Sequence, residues 1–138
     1  MHNNHYIGAA AEMRAASYYL GDGYEVFFPV MTQSASDFII RRDGVYQAVQ
    51  VKKATENPTE SGVYLQVRLQ GKPTTYGETE YTEGDFDILF VVHETGMWTF
   101  PWSVVSEKKS MSFGKLLPDG TLTTTGRGGY NPNDYRVH

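Results

Sequence analysis

Residues 36–53, SDFIIRRDGVYQAVQVKK, contain two runs of strand-forming residues on either side of Asp43-Gly44. An Asp-Gly pair between apolar runs is typical of the two-residue turn of a β-hairpin. Such a turn sets Arg42 opposite Val45 and fixes the pairing of every residue farther from the turn. A slip of one residue would move each side chain to the other face, so the register determines which side chains lie together on each face of the hairpin.

One face of this hairpin is polar and the other is apolar. The register places Asp37 opposite Gln50, and alternation along the strand brings Lys52 to the same face. The opposite face carries Phe38, Ile40, Val49 and Val51, with Gln47 as its polar exception. Two interpretations are open: a surface hairpin whose polar face is solvated, or a group of catalytic side chains above a buried underside.

The residues before the hairpin predict a helix from Tyr6 to Leu20, which is rich in alanine and ends at Gly21-Asp22-Gly23. Residues three and four apart share a helical face, and the face around Glu12 is otherwise small or apolar. We expect this face to pack on the sheet; it consists of Gly8, Glu12, Ala16 and Leu20, flanked by Ala9, Met13 and Tyr19. A buried carboxylate needs a metal ion or a lysine as its partner. The alternative is a glutamate at the edge of the face whose charge reaches solvent.

Further strands and a short helix are predicted along the chain. The strands cover Tyr24 to Val30, Gly62 to Leu69, Phe86 to His93 and Met97 to Phe100, and the helix covers Trp102 to Lys109. Residues Gly71 to Gly84 are polar and are expected to form a loop. This order predicts an α/β (α+β) fold with a mixed central sheet and flanking helices. The 138 residues fit a single domain, 1–138, in which 111–138 are expected to be less regular.

The composition excludes several kinds of site. There is no cysteine, which rules out disulfides, thiol catalysis and cysteine-based zinc sites. No apolar run approaches the roughly 20 residues that span a bilayer. The N-terminus lacks the basic and apolar regions of a secretory signal. We therefore expect a cytoplasmic protein.

The charges are unevenly distributed. The net charge of −4 disfavours a nucleic-acid partner, because phosphate binding depends on lysine and arginine. Between Tyr76 and Glu107, however, every charged residue is acidic, and the basic residues gather on either side of this segment. This segregation is compatible with one basic surface on an acidic protein, and also with ordinary solvated faces.

The polar face of the hairpin, together with Glu12, suits phosphodiester hydrolysis. This reaction needs an activated water, a cation that stabilises charge on the phosphate, and a positioned scissile bond. A few carboxylates completed by water and phosphate oxygens describe a Mg²⁺ site, in which Mn²⁺ is expected to substitute. Asp37 is the predicted main ligand, Glu12 the second (directly or through water), and the Val51 carbonyl the third. Lys52 is predicted to hold the nucleophilic water or to stabilise the transition state electrostatically.

The order Glu12, Ser36-Asp37 and Gln50-Val51-Lys52 resembles the PD-(D/E)xK nuclease superfamily. More narrowly, the sequence resembles the group I intron homing endonucleases of that fold and their Holliday-junction-resolvase-like relatives. The resemblance rests on GAAAEMRAASYYLGDGYEVFFPV, SASDFIIRRDGVYQAVQVKKA and YTEGDFDILFVVHETGMWTFPW, and it covers roughly residues 5–103. It implies a restriction-endonuclease-like core and a magnesium-dependent endodeoxyribonuclease acting on double-stranded DNA. The implied catalytic residues are Glu12, Asp37, Gln50 and Lys52.

Two positions depart from the superfamily pattern. Ser36 replaces the proline before the aspartate, and Gln50 replaces the acidic residue of the (D/E)xK element. The intron-encoded subgroup is similar to this sequence in using glutamine there. A neutral amide leaves Asp37 and Glu12 as the anionic ligands, which predicts weak metal affinity or a single occupied site and speaks against a two-metal mechanism.

Contacts to DNA are expected from basic and amide side chains near the active face. The candidates are Arg41, Lys53, Gln66, Arg68, Lys72 and Arg127. A homodimer or homotetramer is expected, because one small protomer offers one active site to two DNA strands. Three alternatives remain open. They are a resolvase of Holliday junctions or other branched DNA, an inactive DNA-binding module for which Gln50 is the chief argument, and a scaffold protein without nucleic acid, favoured by the net charge.

Overall fold

The computed structural model describes residues 4–31, 33–74, 77–123 and 129–138. In these ranges the helices are α1 (Asn4–Gly21), α2 (Trp102–Val105) and a 3-10 helix (Pro132–Tyr135). The strands are β1 (Glu25–Phe27), β2 (Phe38–Arg42), β3 (Val45–Lys53), β4 (Thr55–Thr59), β5 (Gly62–Arg68), β6 (Gln70–Thr74), β7 (Gly77–Glu80), β8 (Ile88–His93), β9 (Gly96–Pro101) and β10 (Ser110–Lys115). None of the helices in this part of the chain has the length and apolar character needed to cross a membrane.

A five-stranded sheet forms the centre of the protein, in the order β1-β2-β3-β8-β9. β3 and β8 run parallel, whereas the other neighbouring pairs are antiparallel. Helix α1 covers one face of this sheet, and a second sheet with the order β10-β5-β4 packs on the other. The predicted mixed central sheet with flanking helices is confirmed.

The two faces of the central sheet bury two separate apolar cores. Toward α1, strands β2, β3 and β8 contribute Phe38, Ile40, Val49, Val51, Phe90 and Val92. On the other face, Leu89, Val91, Trp98 and Phe100 pack with Leu65, Val67, Met111 and Phe113 of the second sheet. Strand β8 contributes to both cores, and this explains why its sequence is a continuous apolar run.

The β2–β3 hairpin has the predicted register. Phe38 pairs with Val49, and Asp43 and Gly44 adopt φ angles of 52° and 77°. Positive φ at both central residues is what a two-residue hairpin turn of type I′ requires. The four apolar side chains predicted for the underside of the hairpin are buried, as expected.

Helix α1 packs on the sheet through a face that differs from the predicted one. The buried residues are Ala11, Ala15, Ala16 and Tyr19, whereas Met13 and Leu20 are 51% and 60% exposed. The prediction of a packing face that runs from Gly8 to Leu20 is confirmed for Ala16 and Tyr19 and is wrong for Gly8, Met13 and Leu20, which are exposed. The three alanines let the helix backbone approach the sheet more closely than larger side chains would, so the helix is rotated and Glu12 lies at the border of the buried face.

Two polar regions form strands that the sequence did not predict. The segment from Gly71 to Gly84, predicted as a loop, contains the antiparallel pair β6 and β7. Strand β4 pairs with β5 and is exposed along its whole length. Neither region has the hydrophobic alternation by which a strand is recognised in sequence. Their strand structure comes from backbone pairing with a neighbour.

The C-terminal segment packs against the second core. Strand β10 pairs with β5, and Leu116 forms an isolated bridge with Leu122. The guanidinium carbon of Arg136 lies 5.3 Å from the ring centre of Trp98. The contact of Arg136 with Trp98 of β9 joins the C-terminal segment to the central sheet.

Candidate active site

Asp37 stands where the pairing of β2 with β3 ends. Its backbone N–H donates a hydrogen bond to the carbonyl oxygen of Val49 over 2.8 Å, the residue that already faces Phe38. The ladder is irregular here, and Asp37 does not pair with Gln50 as the sequence predicted. Its side chain turns back to β3, where Oδ2 accepts a hydrogen bond from the Val51 N–H over 2.7 Å. The carboxylate is thereby held against β3.

The carbonyl group of Val51 leaves β3 on the edge that faces Asp37. The N–H and C=O of one strand residue point toward the same neighbouring strand, and the Val51 N–H points to Asp37. Because β2 pairs with β3 only as far as Phe38, this carbonyl lies beyond the regular ladder. A carboxylate and a peptide oxygen are therefore presented at the same place.

Glu12 reaches this place from helix α1 and is half-buried. Burial raises the pKa of its carboxyl above the ordinary value, and the negative charge of Asp37 raises it further. Two carboxylates that share a site repel each other, so the ionised pair favours a proton or a cation between them. The structure thus brings Glu12 and Asp37 together from different elements.

Gln50 belongs to β3 and is only 8% exposed. Its neighbours Val49 and Val51 point toward α1, so its side chain points to the opposite face of the sheet. The amide Nε2 lies 3.5 Å from the Val51 carbonyl oxygen, which is a long and weak hydrogen bond. Burying a neutral amide costs less than burying a carboxylate, so glutamine suits this enclosed position.

Lys52 lies two residues farther along β3 and is half-buried. Its ammonium nitrogen is 5.5 Å from the ring centre of Tyr81, within the range of cation–π attraction. Burial raises the pKa of the Tyr81 phenol to about 12, and the charges of Asp37 and Asp85 add to this rise. Tyr81 is therefore a neutral phenol in the field of the same carboxylate that acts on Glu12.

Sequence patterns did not identify Tyr81 as part of this group. The residue follows β7 in a polar, acidic segment, and no spacing in the sequence distinguishes it from Tyr76. It comes to lie over Lys52 because the chain enters β8, which runs parallel to β3. Only the tertiary path of the segment reveals this contact.

Asp85 and Asp87, two acidic residues near the site, make structural hydrogen bonds. Oδ2 of Asp85 accepts a hydrogen bond from the Thr82 N–H over 2.8 Å. Oδ2 of Asp87 accepts one from the Ala48 N–H, also over 2.8 Å. Both bonds hold the segment that leads into β8.

The residues that come together fit a divalent cation bound through oxygen. Asp37 and Glu12 offer two carboxylates and Val51 offers a carbonyl, while water and phosphate oxygens would complete the shell. In the described ranges, no group of three or more His, Cys, Asp and Glu side chains is placed to hold a metal ion. The donor set is sparse, which suits a cation that keeps several of its waters, as Mg²⁺ does.

Three of the residues predicted to contact DNA have accessible or partly accessible side chains. Lys53 follows Lys52 on β3 and is exposed. Arg68 is exposed at the end of β5, and Gln66 is half-buried two residues earlier on the same strand. These positions leave all three side chains within reach of solvent.

The other three candidates are differently placed. Arg41 forms an ion pair with Glu25 at 2.8 Å, and its guanidinium lies 5.4 Å from the ring centre of Tyr46. Lys72 belongs to β6, but its side chain lies outside the described part of the structure, as does the whole of Arg127. Arg41 is thus already engaged within the protein.

The fold, with an acidic residue immediately before β2 and Gln-Val-Lys on β3, is that of a PD-(D/E)XK endonuclease. The model of the PD-(D/E)XK endonuclease family matches residues 2–114 of this chain. The chain therefore belongs to this family, and the resemblance drawn from the sequence is confirmed.

Two known proteins show where the similarity lies. The chain is 44% identical to Protein 5.3 of Escherichia phage T7 over 115 residues, which is 83% of this chain and 94% of that protein. Its structure is similar to that of a bacterial homing endonuclease, I-Ssp6803I, with a TM-score of 0.73 and 19% identity, over 98% of this chain and 89% of the other. The structural match confirms the predicted endonuclease-like fold. Family and fold together support a nuclease.

Proposed function

We propose that this protein is a divalent-metal-dependent endonuclease that hydrolyses phosphodiester bonds of double-stranded DNA, as a homing-endonuclease-like member of its family. One observation carries the proposal: the Asp37 carboxylate, which the Val51 N–H holds against β3 over 2.7 Å, is near enough to Glu12 of helix α1 to interact with it electrostatically. A pair of mutually repelling carboxylates lowers the stability of a fold. Such pairs are typical of functional sites, where a bound ligand offsets the repulsion.

Asp37, Glu12 and the Val51 carbonyl are the groups that would hold the cation. We propose Mg²⁺, with Mn²⁺ as a substitute, because both prefer oxygen ligands. Such an ion supplies charge neutralisation at the phosphate and an activated water. The hydrogen bond from Val51 holds the Asp37 carboxylate in one orientation before substrate arrives.

Lys52 and Gln50 would act on the same reacting phosphate from β3. The Lys52 ammonium would orient the nucleophilic water or stabilise negative charge in the transition state. The Gln50 amide can both donate and accept hydrogen bonds, so it suits the positioning of a water molecule. Both side chains project from β3, a strand inside the central sheet, and a rigid element keeps such groups in a fixed geometry.

A surface for reading DNA is proposed on the outer face of the second sheet. Leu65 and Val67 of β5 are buried, so alternation turns Gln66 and Arg68 outward. Their cross-strand neighbours on β4 and β10 are threonine and serine residues. An antiparallel sheet with such a face fits the major groove, where arginine reads guanine and glutamine reads adenine.

Phosphate contacts are proposed for the remaining basic residues. Lys53, Lys72 and Arg127 would neutralise phosphates of the bound DNA. Arg41 would join them only by exchanging Glu25 for a phosphate, because the two side chains form an ion pair in the protein alone.

The proposed assembly is a homodimer or homotetramer acting in the cytoplasm. One protomer supplies one group of Asp37, Glu12, Gln50 and Lys52. A duplex has two strands, and a symmetric oligomer presents one site to each of them.

The test is the conversion of supercoiled plasmid to nicked and linear forms with and without Mg²⁺. The substrates are plasmids with random inserts and a four-way DNA junction, and the proteins are wild type and Asp37→Asn. We expect Mg²⁺-dependent cutting of duplex DNA by wild type and its loss in Asp37→Asn. Preferential cutting of the junction would instead identify a branched-DNA resolvase.

The neutral residue at position 50 favours a second candidate, an inactive DNA-binding module with the same fold. In that case wild type would cut no DNA at any Mg²⁺ or Mn²⁺ concentration, yet it would retard DNA in a gel. Calorimetric titration with Mg²⁺ separates the two candidates without an activity assay. A nuclease site binds Mg²⁺ through Asp37, and Asp37→Asn abolishes this binding.

A further inference from the structure

Lys52 lies against an aromatic ring that comes from a distant part of the chain. The ammonium nitrogen is 5.5 Å from the ring centre of Tyr81. The ring face of a tyrosine attracts a cation through its quadrupole. The contact with the Tyr81 ring itself leaves the positive charge of Lys52 in place.

The ring of Tyr81 is itself fixed from behind by other aromatic side chains. It meets Phe86 edge to face, with ring centres 5.2 Å apart, and Phe86 meets Trp102 in the same way at 5.1 Å. Phe86 is only 2% exposed and belongs to the second core. Edge-to-face contacts of this kind are favourable and define the ring orientation.

The segment that carries Tyr81 is also closed by a turn. The Thr82 N–H donates to Asp85 Oδ2 over 2.8 Å, and the Asp85 N–H donates to the Thr82 carbonyl over 3.0 Å. These bonds hold the chain between Tyr81 and Phe86. The ring is therefore supported both by packing and by local backbone structure.

A lysine needs such support if it is to act at a defined point. Its side chain has four rotatable bonds and loses considerable entropy when it is held in one conformation. Lys52 is only half-buried, so its own strand does not enclose the ammonium group. A rigid ring beside it restricts where the charge can lie.

We propose that Tyr81 is a positioning residue that holds the Lys52 ammonium at the candidate site through the face of its ring. This role rests on the proposed nuclease function, because it concerns the lysine of that site. The positioning role depends on the aromatic ring of Tyr81 and does not require its hydroxyl group. Tyr81→Phe is therefore the conservative variant, and Tyr81→Leu removes the ring while keeping an apolar side chain.

A matched control is available elsewhere in the protein. Tyr130 is half-buried and lies beside a lysine in the same manner, with Lys108 Nζ 5.7 Å from its ring centre. Neither residue belongs to the site. Tyr130→Leu removes a comparable ring and a comparable lysine contact, so it reports the general effect of losing a half-buried tyrosine.

The first measurement is steady-state plasmid nicking with Mg²⁺ for the full-length variants. We expect Tyr81→Leu to lower kcat by about tenfold with little change in KM, the size expected for a lost cation–π contact. Tyr81→Phe and Tyr130→Leu keep kcat near that of wild type. Equal losses in Tyr81→Phe and Tyr81→Leu would overturn a role carried by the ring, and so would full activity in Tyr81→Leu.

The second measurement does not depend on activity. In protein labelled with ¹³C-lysine, the ring current of Tyr81 shifts the ε-methylene signal of Lys52 upfield, and Lys52→Arg identifies that signal. The shift is expected in wild type and Tyr81→Phe and lost in Tyr81→Leu. Its absence in wild type would overturn the proposal about Tyr81 while leaving the nuclease function intact. Wild type that shows the shift but neither cuts DNA nor binds Mg²⁺ would overturn the nuclease function, and the positioning role with it.

Discussion

Oδ2 of Asp37 accepts a hydrogen bond from the backbone N–H of Val51 over 2.7 Å. A carboxylate thus takes the place where a backbone carbonyl of β2 would have continued the ladder. The bond ties the proposed main ligand directly to the strand that carries Gln50 and Lys52. The irregular end of β2 is therefore part of how the site is built.

Asp37 carries a negative charge and also accepts a hydrogen bond from the Val51 N–H. Two substitutions can test these two properties separately. In Asp37→Asn the amide oxygen can still accept the Val51 N–H, so we expect an unchanged fold and a loss of cutting of at least about 100-fold. Asp37→Ala also leaves the N–H without this acceptor, which costs about 1–3 kcal/mol of stability. Plasmid nicking and urea denaturation measure the two effects. Wild-type activity in Asp37→Asn would exclude a ligand role for the charge.

The raised pKa of Glu12 predicts how stability depends on pH. The folded state binds the Glu12 proton more tightly than the unfolded state does, so ionisation of this group lowers stability as pH rises from about 4.5 toward the folded-state pKa. Glu12→Gln removes that penalty. We expect the variant to be more stable than wild type at pH 7, by less than about 1 kcal/mol because the partly exposed carboxylate is screened by solvent.

Thermal unfolding of both proteins between pH 4 and pH 8, without metal, measures the Glu12 effect. The difference should disappear at the acidic end, where wild-type Glu12 is protonated. Added Mg²⁺ should stabilise wild type and have no such effect on Glu12→Gln. A stability difference that stays constant with pH would mean that the charge of Glu12 is not the cause.

Gln50→Glu restores the acidic residue of the family motif. A third carboxylate beside the Val51 carbonyl, which the Gln50 amide contacts, should strengthen cation binding, so we expect half-maximal activity at a lower Mg²⁺ concentration. The same charge should destabilise the metal-free protein, because position 50 is only 8% exposed. Mg²⁺ titration of activity and denaturation with and without a chelator test both effects. Gln50→Met is the neutral control of similar size. A higher Mg²⁺ concentration at half-maximal activity in Gln50→Glu than in wild type would contradict the prediction.

Arg68 and Lys53 should differ in how they bind DNA. Arg68→Ala is expected to weaken binding to a preferred site by about 1–3 kcal/mol and to relax discrimination between sequences. Lys53→Ala should weaken binding to all DNA sequences alike. It should also reduce the slope of log affinity against log salt concentration by about 1. Fluorescence anisotropy in the Asp37→Asn background measures affinity without cutting. Arg14→Ala, which removes an exposed charge from α1, is the control, and an equal effect of all three changes would argue against a specific DNA surface.

The hairpin and its register were predictable from sequence because both depend on local rules. Asp43-Gly44 supplies the positive φ angles of the turn, and the two-residue period of a strand then assigns every side chain to a face. The same reasoning placed Gln50 and Lys52 on one face of β3. The buried strand β8 was predictable because a strand covered on both sides is apolar throughout.

Packing between distant segments decided the rest. Ala11 and Ala15 set the rotation of α1, because close approach of the helix backbone outweighs the burial of larger residues such as Leu20. The polar strands β4, β6 and β7 exist through backbone pairing, which leaves no hydrophobic pattern in the sequence. The charge of Asp37 acting on Glu12, and the ring of Tyr81 beside Lys52, arise where separate elements meet. Local periodicity carries no information about such long-range contacts, so only the tertiary structure shows them.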